Sequence, residues 1–254
     1  MKHELTLLLV ATQFLTRLPL PALRRFDPDW LHQSSRHFPG VGLLVGSLCA
    51  LAYGLGEFMF GPLVAAVMAT ALGVYITGAF HEDGLADTCD GLGGGLTRER
   101  ALTIMKDSRL GTFGTLGLVL ALLLKITLLA SLSPAAAMAA LVLAHGGSRL
   151  ACISLIALLP YGGDPEHAKA KPMAQQLTHA QWWLASLWLL LPLWLLWPLF
   201  SPGAWLLAAV LTMLTTLHMY RLLKRRLGGY TGDGLGATQQ LAEIAIYAGL
   251  AAQL

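Results

Sequence analysis

Apolar residues run through this chain in long blocks, with the polar residues gathered between them. Six blocks stand out: Val41–Phe60, Leu63–Ala79, Phe113–Ala130, Ala135–Leu159, Ala185–Phe200 and Ala204–Tyr220. Each comes close to the roughly 20 apolar residues that an α-helix needs to cross a bilayer. Short uncharged turns at 61–62, 131–134 and 201–203 pair them into three helical hairpins. A shorter stretch, Leu5–Leu18, is either a first span or a helix lying in the interface. Gln239–Leu254 closes the chain as a short apolar helix that carries Glu243. The pattern predicts an all-α protein, a polytopic transmembrane helical bundle of about seven spans, with roughly six to eight as bounds. No soluble block exceeds about 30 residues, so residues 1–254 read as a single integral membrane domain. Residues 1–19 lack the basic start and small-residue cleavage site of a removed signal peptide.

Composition agrees. The chain is 56% hydrophobic and 12% charged, with a mean hydropathy of +0.62. Its net charge of +3 is small, and its basic residues are too localised for a nucleic-acid surface. They mark topology instead. The stretches 20–40 (Arg24, Arg25, Arg36), 81–112, 160–181 (Lys169 and Lys171, beside Asp164, Glu166 and His167) and 221–239 hold nearly all the Lys and Arg. Alternating helices put all four on one face, which the positive-inside rule makes cytoplasmic. Trp182 and Trp183 read as an interfacial aromatic belt. Gly42 and Gly46 form a small-xxx-small pair, which lets helices approach closely in lipid. Pro192 and Pro198 are expected to kink the block that holds them. Cys49, Cys89 and Cys152 give no disulfide framework and no CxxC metal motif.

The blocks Phe113–Ala130 and Ala135–Leu159 carry ionisable groups within them: Lys125 in the first, His145 and Arg149 in the second. Charge at membrane depth is costly and usually faces a cavity or a partner. Arg149 lies too far from Pro160 to reach an interface easily, so it reads as facing a functional cavity.

The densest polar signal is Phe80-His81-Glu82-Asp83-Gly84-Leu85-Ala86-Asp87-Thr88-Cys89-Asp90-Gly91, with four carboxylates in nine residues. Asp83, Asp87 and Asp90 are spaced i, i+4, i+7. On a helix they fall within roughly 60° of one another. Three carboxylates in a row repel each other unless a cation lies between them, and Mg²⁺ or Mn²⁺ takes such hard oxygen ligands. Glu82 lies about 100° off the row and would be an edge ligand. Residues 81–112 thus read as an acidic metal and diphosphate loop. Its Lys106 and Arg109 are candidates to clamp phosphate, and its Gly93-Gly94-Gly95 is no P-loop, because no GK[ST] follows. Residues 221–239 read as a basic and glycine-rich loop, with Arg221, Lys224, Arg225 and Arg226 leading to Asp233. A carboxylate-bound metal ringed by Lys and Arg suits a metal-dependent phosphoryl or pyrophosphate-linked transfer.

Three motifs carry a family resemblance: Glu82 to Gly91, then Met105-Lys106-Asp107-Ser108-Arg109-Leu110-Gly111-Thr112, then Gly228-Gly229-Tyr230-Thr231-Gly232-Asp233-Gly234-Leu235-Gly236-Ala237. Together with Phe14-Leu15-Thr16-Arg17-Leu18-Pro19 and Phe38-Pro39-Gly40-Val41-Gly42 they resemble the cobalamin synthase (adenosylcobinamide-GDP ribazoletransferase) family over essentially the whole chain. The resemblance implies a Mg²⁺-dependent enzyme of the bacterial inner membrane with its site at the cytoplasmic face. Its substrates would be adenosylcobinamide-GDP and α-ribazole or its 5′-phosphate. A ribazole hydroxyl would attack the phosphate attached to cobinamide, giving adenosylcobalamin or its 5′-phosphate and GMP. It further implies Glu82, Asp83, Asp87, Asp90 and Asp107 as metal ligands. Lys106 and Arg109, joined by Arg149, would be diphosphate contacts. Asp90 and Asp233 are the catalytic candidates, Asp233 orienting the nucleophile or holding a second metal. Two alternatives remain open at this stage. One is a lipid enzyme like the CDP-alcohol phosphotransferases, although the Arg and downstream aspartate pair of that pattern are missing. The other is a membrane transporter whose path Lys125 and Arg149 would line.

Overall fold

A computed structural model describes residues 2–21, 27–163 and 177–252. The expected surface residues Arg24, Arg25, Asp164, Glu166, His167, Lys169 and Lys171 lie outside the described residues. Eleven α-helices account for most of the rest. They are α1 (Lys2–Leu15), α2 (Pro28–Ser34), α3 (Phe38–Phe60), α4 (Pro62–Thr77), α5 (Phe80–Gly94), α6 (Arg98–Met105), α7 (Thr112–Ser131), α8 (Pro134–Leu158), α9 (His179–Leu196), α10 (Pro202–Leu227) and α11 (Gly232–Leu250).

The three uncharged turns fall between consecutive helices, α3 and α4, α7 and α8, and α9 and α10. Of these pairs only α3 and α4 pack closely together, while α9 and α10 each rest on α8. Proline starts four of these six helices at a position where its missing N–H costs nothing. Pro192 sits inside a continuous α9, while Pro198 belongs to a 3-10 turn, Trp197–Leu199, that follows it. Five helical segments are long and apolar enough to cross a membrane: Asp29–Phe60, Thr112–Ser131, Pro134–Leu158, His179–Leu199 and Pro202–Leu227. A sixth arises if α4 and α5, bent by 89° at their junction, count as one broken span. That is one fewer than seven and still within the expected bounds. With 14 residues, α1 is about 21 Å long, too short for a hydrocarbon core of about 30 Å. The last helix, α11, begins at Gly232 rather than Gln239 and carries Gln239, Gln240 and Glu243 on buried positions.

Two stretches read as loops turn out to be largely helical. Residues 81–112 form α5 and α6, joined by a short turn, because the carboxylates at one helix start complement its dipole. Residues 221–239 are the end of α10 and the start of α11; only 228–231 connect them. Gly228, at φ 75°, makes that exit possible.

Helix α8 lies at the centre. In its most apolar window 67% of residues are buried, against 11% for α9 and 17% for α10. The outer faces of α9 and α10 expose Leu190, Leu191, Trp194, Leu206 and Leu214, which suits contact with lipid tails. The Gly42 and Gly46 pair does what small residues do in such bundles. A Cβ on Gly46 would come within 2.6 Å of the Leu141 carbonyl oxygen on α8, and one on Gly42 would strike the His145 carbonyl.

The described parts of three polar connections meet around Arg98 and Arg226. Arg17 donates its backbone N–H to Ile76 (2.7 Å) and tucks under the α4 terminus at Gly78. Arg98 donates to the carbonyls of Leu227 (2.8 Å) and Gly162 (2.9 Å), and Arg226 donates to Gly95 (2.5 Å). These guanidinium groups satisfy carbonyls left over at helix ends. At α1, Glu4 accepts from Arg36 (2.6 Å) and lies 3.1 Å from the His37 ring.

Replacing Gly46 with Leu is expected to destabilise the α3–α8 contact by at least about 1–3 kcal/mol, because the backbones leave no room for a side chain. Thermal unfolding in detergent, followed by loss of the monodisperse species, would measure it.

Candidate active site

The site is organised by the sharp junction between α4 and α5. Gly78 (φ 67°) and Ala79 (φ 59°) are both left-handed, which turns the chain and sends α5 across the end of the bundle. Ala79 is the only described non-glycine residue with positive φ. That conformation costs an L-residue about 1–2 kcal/mol, so the surrounding packing holds it in place.

Along α5 the carboxylates sort by face. Asp83 is exposed, Asp87 half-buried and Asp90 buried. Gly84 faces the first turn of α11. A Cβ there would come 2.9 Å from the Asp233 carbonyl oxygen and 3.2 Å from Gly236 Cα, so the two backbones touch. Asp233 is half-buried in the first turn of α11, where Thr231 caps the helix by accepting from the Gly234 N–H (3.0 Å). The part of α5 that carries Asp83 and Asp87 therefore packs against the first turn of α11, which carries Asp233 at the positive end of that helix dipole.

Other expected members of the row go elsewhere. Both carboxylate oxygens of Asp90 are engaged by the start of α7, accepting from Gly111 N–H (2.7 Å) and Gly114 N–H (2.8 Å). Gly111 is the N-cap of α7 and has no side chain to cap with, so Asp90 from α5 supplies the cap. This holds the Lys106–Gly111 connection one turn along α5 from Asp87. Within that connection Arg109 grips Asp107 through its guanidinium (Nε 3.0 Å, Nη2 2.5 Å) and its backbone N–H (3.1 Å). Those hydrogen bonds hold the Asp107 carboxyl down at about 2. Arg109 is 88% exposed and Lys106 is exposed at the C-cap of α6, so both face outward.

Glu82 and Arg149 lie inside the bundle. Glu82 turns inward, away from Asp83 and Asp87, and accepts from Gln240 on α11 (3.0 Å). Arg149 is 1% exposed on α8 and donates to the His145 carbonyl (2.9 Å). Both line a small buried cavity of about 10 Å³, room for a single water, together with Lys125, His145 and Glu243. A cavity of that size offers no transport path. Lys125 pairs with Glu243 at 2.9 Å. Of this interior network the sequence reading named the charged members and missed Gln239 and Gln240. Their signal was two adjacent amides, three and four residues before Glu243, in an otherwise apolar helix.

Among the described residues, no three His, Cys, Asp or Glu side chains are grouped so as to hold a metal ion by themselves. Asp83 and Asp87, one turn apart on one face, remain a two-carboxylate donor set. That suits Mg²⁺, which commonly binds one or two carboxylates and completes its shell with substrate phosphate and water.

The fold and this corner define a polytopic helical membrane protein that presents paired carboxylates at one end of its bundle. A family model described as cobalamin-5-phosphate synthase matches residues 7–251. The chain belongs to that family. It is 49% identical over 252 residues to an adenosylcobinamide-GDP ribazoletransferase of Leptothrix cholodnii, covering 97% of this chain and 95% of the relative. A Polaromonas species has a relative of the same name at 46% identity (97% and 96% covered), and Shewanella pealeana one at 45% (97% and 95%). No solved structure matches the chain.

Asp90→Ala is expected to cost about 1–3 kcal/mol of stability by stranding the buried Gly114 N–H and the half-buried Gly111 N–H. Asp83→Ala, on an exposed helix face, is expected to stay within about 0.5 kcal/mol of the parent. Parallel thermal melts of the two purified variants would check the contrast.

Proposed function

We propose that this protein joins α-ribazole, or its 5′-phosphate, to adenosylcobinamide-GDP with release of GMP, using Mg²⁺ held by Asp83 and Asp87. The observation that carries the reading is the backbone contact of Gly84, the residue after Asp83, with Asp233 and Gly236 in the first turn of α11, in a chain matched to its family from residue 7 to residue 251. The relatives' name supplies the substrates.

In this reading Lys106 and Arg109 receive the diphosphate of the GDP-linked corrinoid. They border the carboxylate stripe, and their exposure leaves them accessible to a polyanion. The first-turn N–H groups of α11 add partial positive charge on the opposite side. Asp233 orients the ribazole hydroxyl toward the phosphorus attached to cobinamide and takes its proton. A new phosphorus–oxygen bond forms to the ribazole oxygen. The bond from that phosphorus to the bridging oxygen breaks, and the bridging oxygen departs with GMP. Bound Mg²⁺ would supply neutralisation of the charge that gathers on the diphosphate. Asp90 and the Asp107–Arg109 pair shape the site's wall by fixing the α6–α7 connection.

The charged end of the bundle is the cytoplasmic one in this proposal, and the membrane is the bacterial inner membrane. The clustering of Lys and Arg in connections that meet at that end supports this orientation.

Purified protein in detergent, given adenosylcobinamide-GDP and α-ribazole, is expected to release GMP, and EDTA is expected to stop it. Loss of groups that merely support metal ligands costs about 10–100-fold, so Asp87→Asn and Asp83→Ala should each lower turnover by at least about 100-fold while the protein stays monodisperse. GMP release that ignores both EDTA and Asp87→Asn would refute the proposal.

A further inference from the structure

The contact that brings Asp233 to α5 is made almost without side chains. Gly84 lies against Asp233 and Gly236, and Gly236 lies against the backbone of His81. Two glycine faces approach closely but do not interlock, so nothing in that contact prevents α5 from sliding along α11. A shift of one residue would carry Asp83 and Asp87 about 1.5 Å past Asp233.

The register has to come from elsewhere: Asp90 ties α5 to α7, and one side chain of α11 is placed to tie α5 to α11 directly. Asp233, Gly236 and Gln240 are spaced i, i+3, i+7 on α11 and form one stripe toward α5. At the far end of that stripe the Gln240 amide nitrogen donates to Glu82 (3.0 Å), the residue before Asp83, and to Gln239 (2.9 Å). Its carbonyl oxygen accepts from Lys125 Nζ on α7 (3.2 Å). The ammonium on one side and the carboxylate on the other permit only this orientation of the amide. Gln239 continues the chain to Ser148 on α8 (2.9 Å) and to Glu243 (2.7 Å). Gln240 is 2% exposed, and both its amide N–H groups and its carbonyl oxygen are engaged by groups from α5, α7 and α11.

We infer that Gln240 is a positioning residue for the proposed transfer: by holding Glu82 to α11, with Lys125 behind it, it sets the register of Asp83 and Asp87 against Asp233. This rests on the transfer reading above and makes Glu82 a tether rather than a metal ligand. A tether needs a hydrogen-bond acceptor at residue 82, whereas a ligand needs a charge there.

The test compares three variants of the full-length protein in detergent, with GMP release measured per monodisperse protein. Gln240→Leu keeps the bulk and removes all three hydrogen bonds. It should lower kcat by about 10–100-fold, as misplacement near 1 Å does, with both substrate KM values within about 2-fold of the parent. Glu82→Gln keeps an acceptor for Gln240 and should stay within about 3-fold of the parent kcat with an unchanged Mg²⁺ requirement. Gln240→Asn, shorter by one methylene, should fall between them. If Gln240→Leu fails to fold, the Asn and Glu82→Gln variants decide. Parent-like kcat in both Gln240 variants would overturn the inference. So would a Glu82→Gln enzyme whose loss of activity is reversed by raised Mg²⁺. Absence of GMP release from the parent protein would instead refute the transfer reading itself.

Discussion

Charge withdrawn from water needs a partner, and one such pairing in this bundle joins two helices. Lys125 and Glu243 lie 2.9 Å apart, both almost fully buried, on α7 and α11. An isolated ion at that depth costs several kcal/mol, and removal of either partner would leave the other uncompensated. The pair is therefore a constraint on assembly: α7 and α11 have to meet with these residues in register. The amides of Gln239 and Gln240 extend the constraint to α8 and α5. Tyr247, one turn further along α11, donates its hydroxyl to Glu243 and satisfies the same carboxylate again (3.1 Å).

The rest of the molecule is inverted around that centre. The most exposed faces of α9 and α10 are apolar, while the largely apolar interior between α7, α8 and α11 encloses a polar cluster that includes Lys125, His145, Arg149, Gln239, Gln240 and Glu243. In lipid there is no hydrophobic drive between helices, so close packing and internal hydrogen bonds hold the bundle. Alanine and glycine on α3 and α8 provide the first; the Lys125–Glu243 network provides the second. The acidic corner lies at the margin of both, on a helix that leaves α4 at 89° and is anchored by Asp90 at one end and Glu82 at the other. Two carboxylates of the acidic stretch thus anchor α5.

The six apolar blocks, the three uncharged turns and the gathering of basic residues between hairpins were legible from the chain because lipid imposes a simple rule on composition: about 20 apolar residues per crossing, charge outside. The i, i+4 relation of Asp83 and Asp87 was legible too, since helical periodicity alone puts them on one face. So was the family, because three motifs recur in order. Less legible were the boundaries of polar elements. Residues 81–112 look like a loop by polarity, yet they form two helices because α5 is buried on one side against α7 and α11.

What the sequence settled by itself, then, is the class of protein and the stripe of acidic residues; both follow from local spacing and from transfer of side chains into lipid. What only the tertiary structure decided is the fate of each charged group. Asp90 caps a helix whose own N-cap is glycine, Glu82 and Arg149 turn into the interior, and Asp233, some 150 residues from Asp83 in the chain, comes to lie against Gly84. The reason is physical. A carboxylate's role depends on which donors reach it. Those donors sit on other helices, whose arrangement depends on which buried charges find one another.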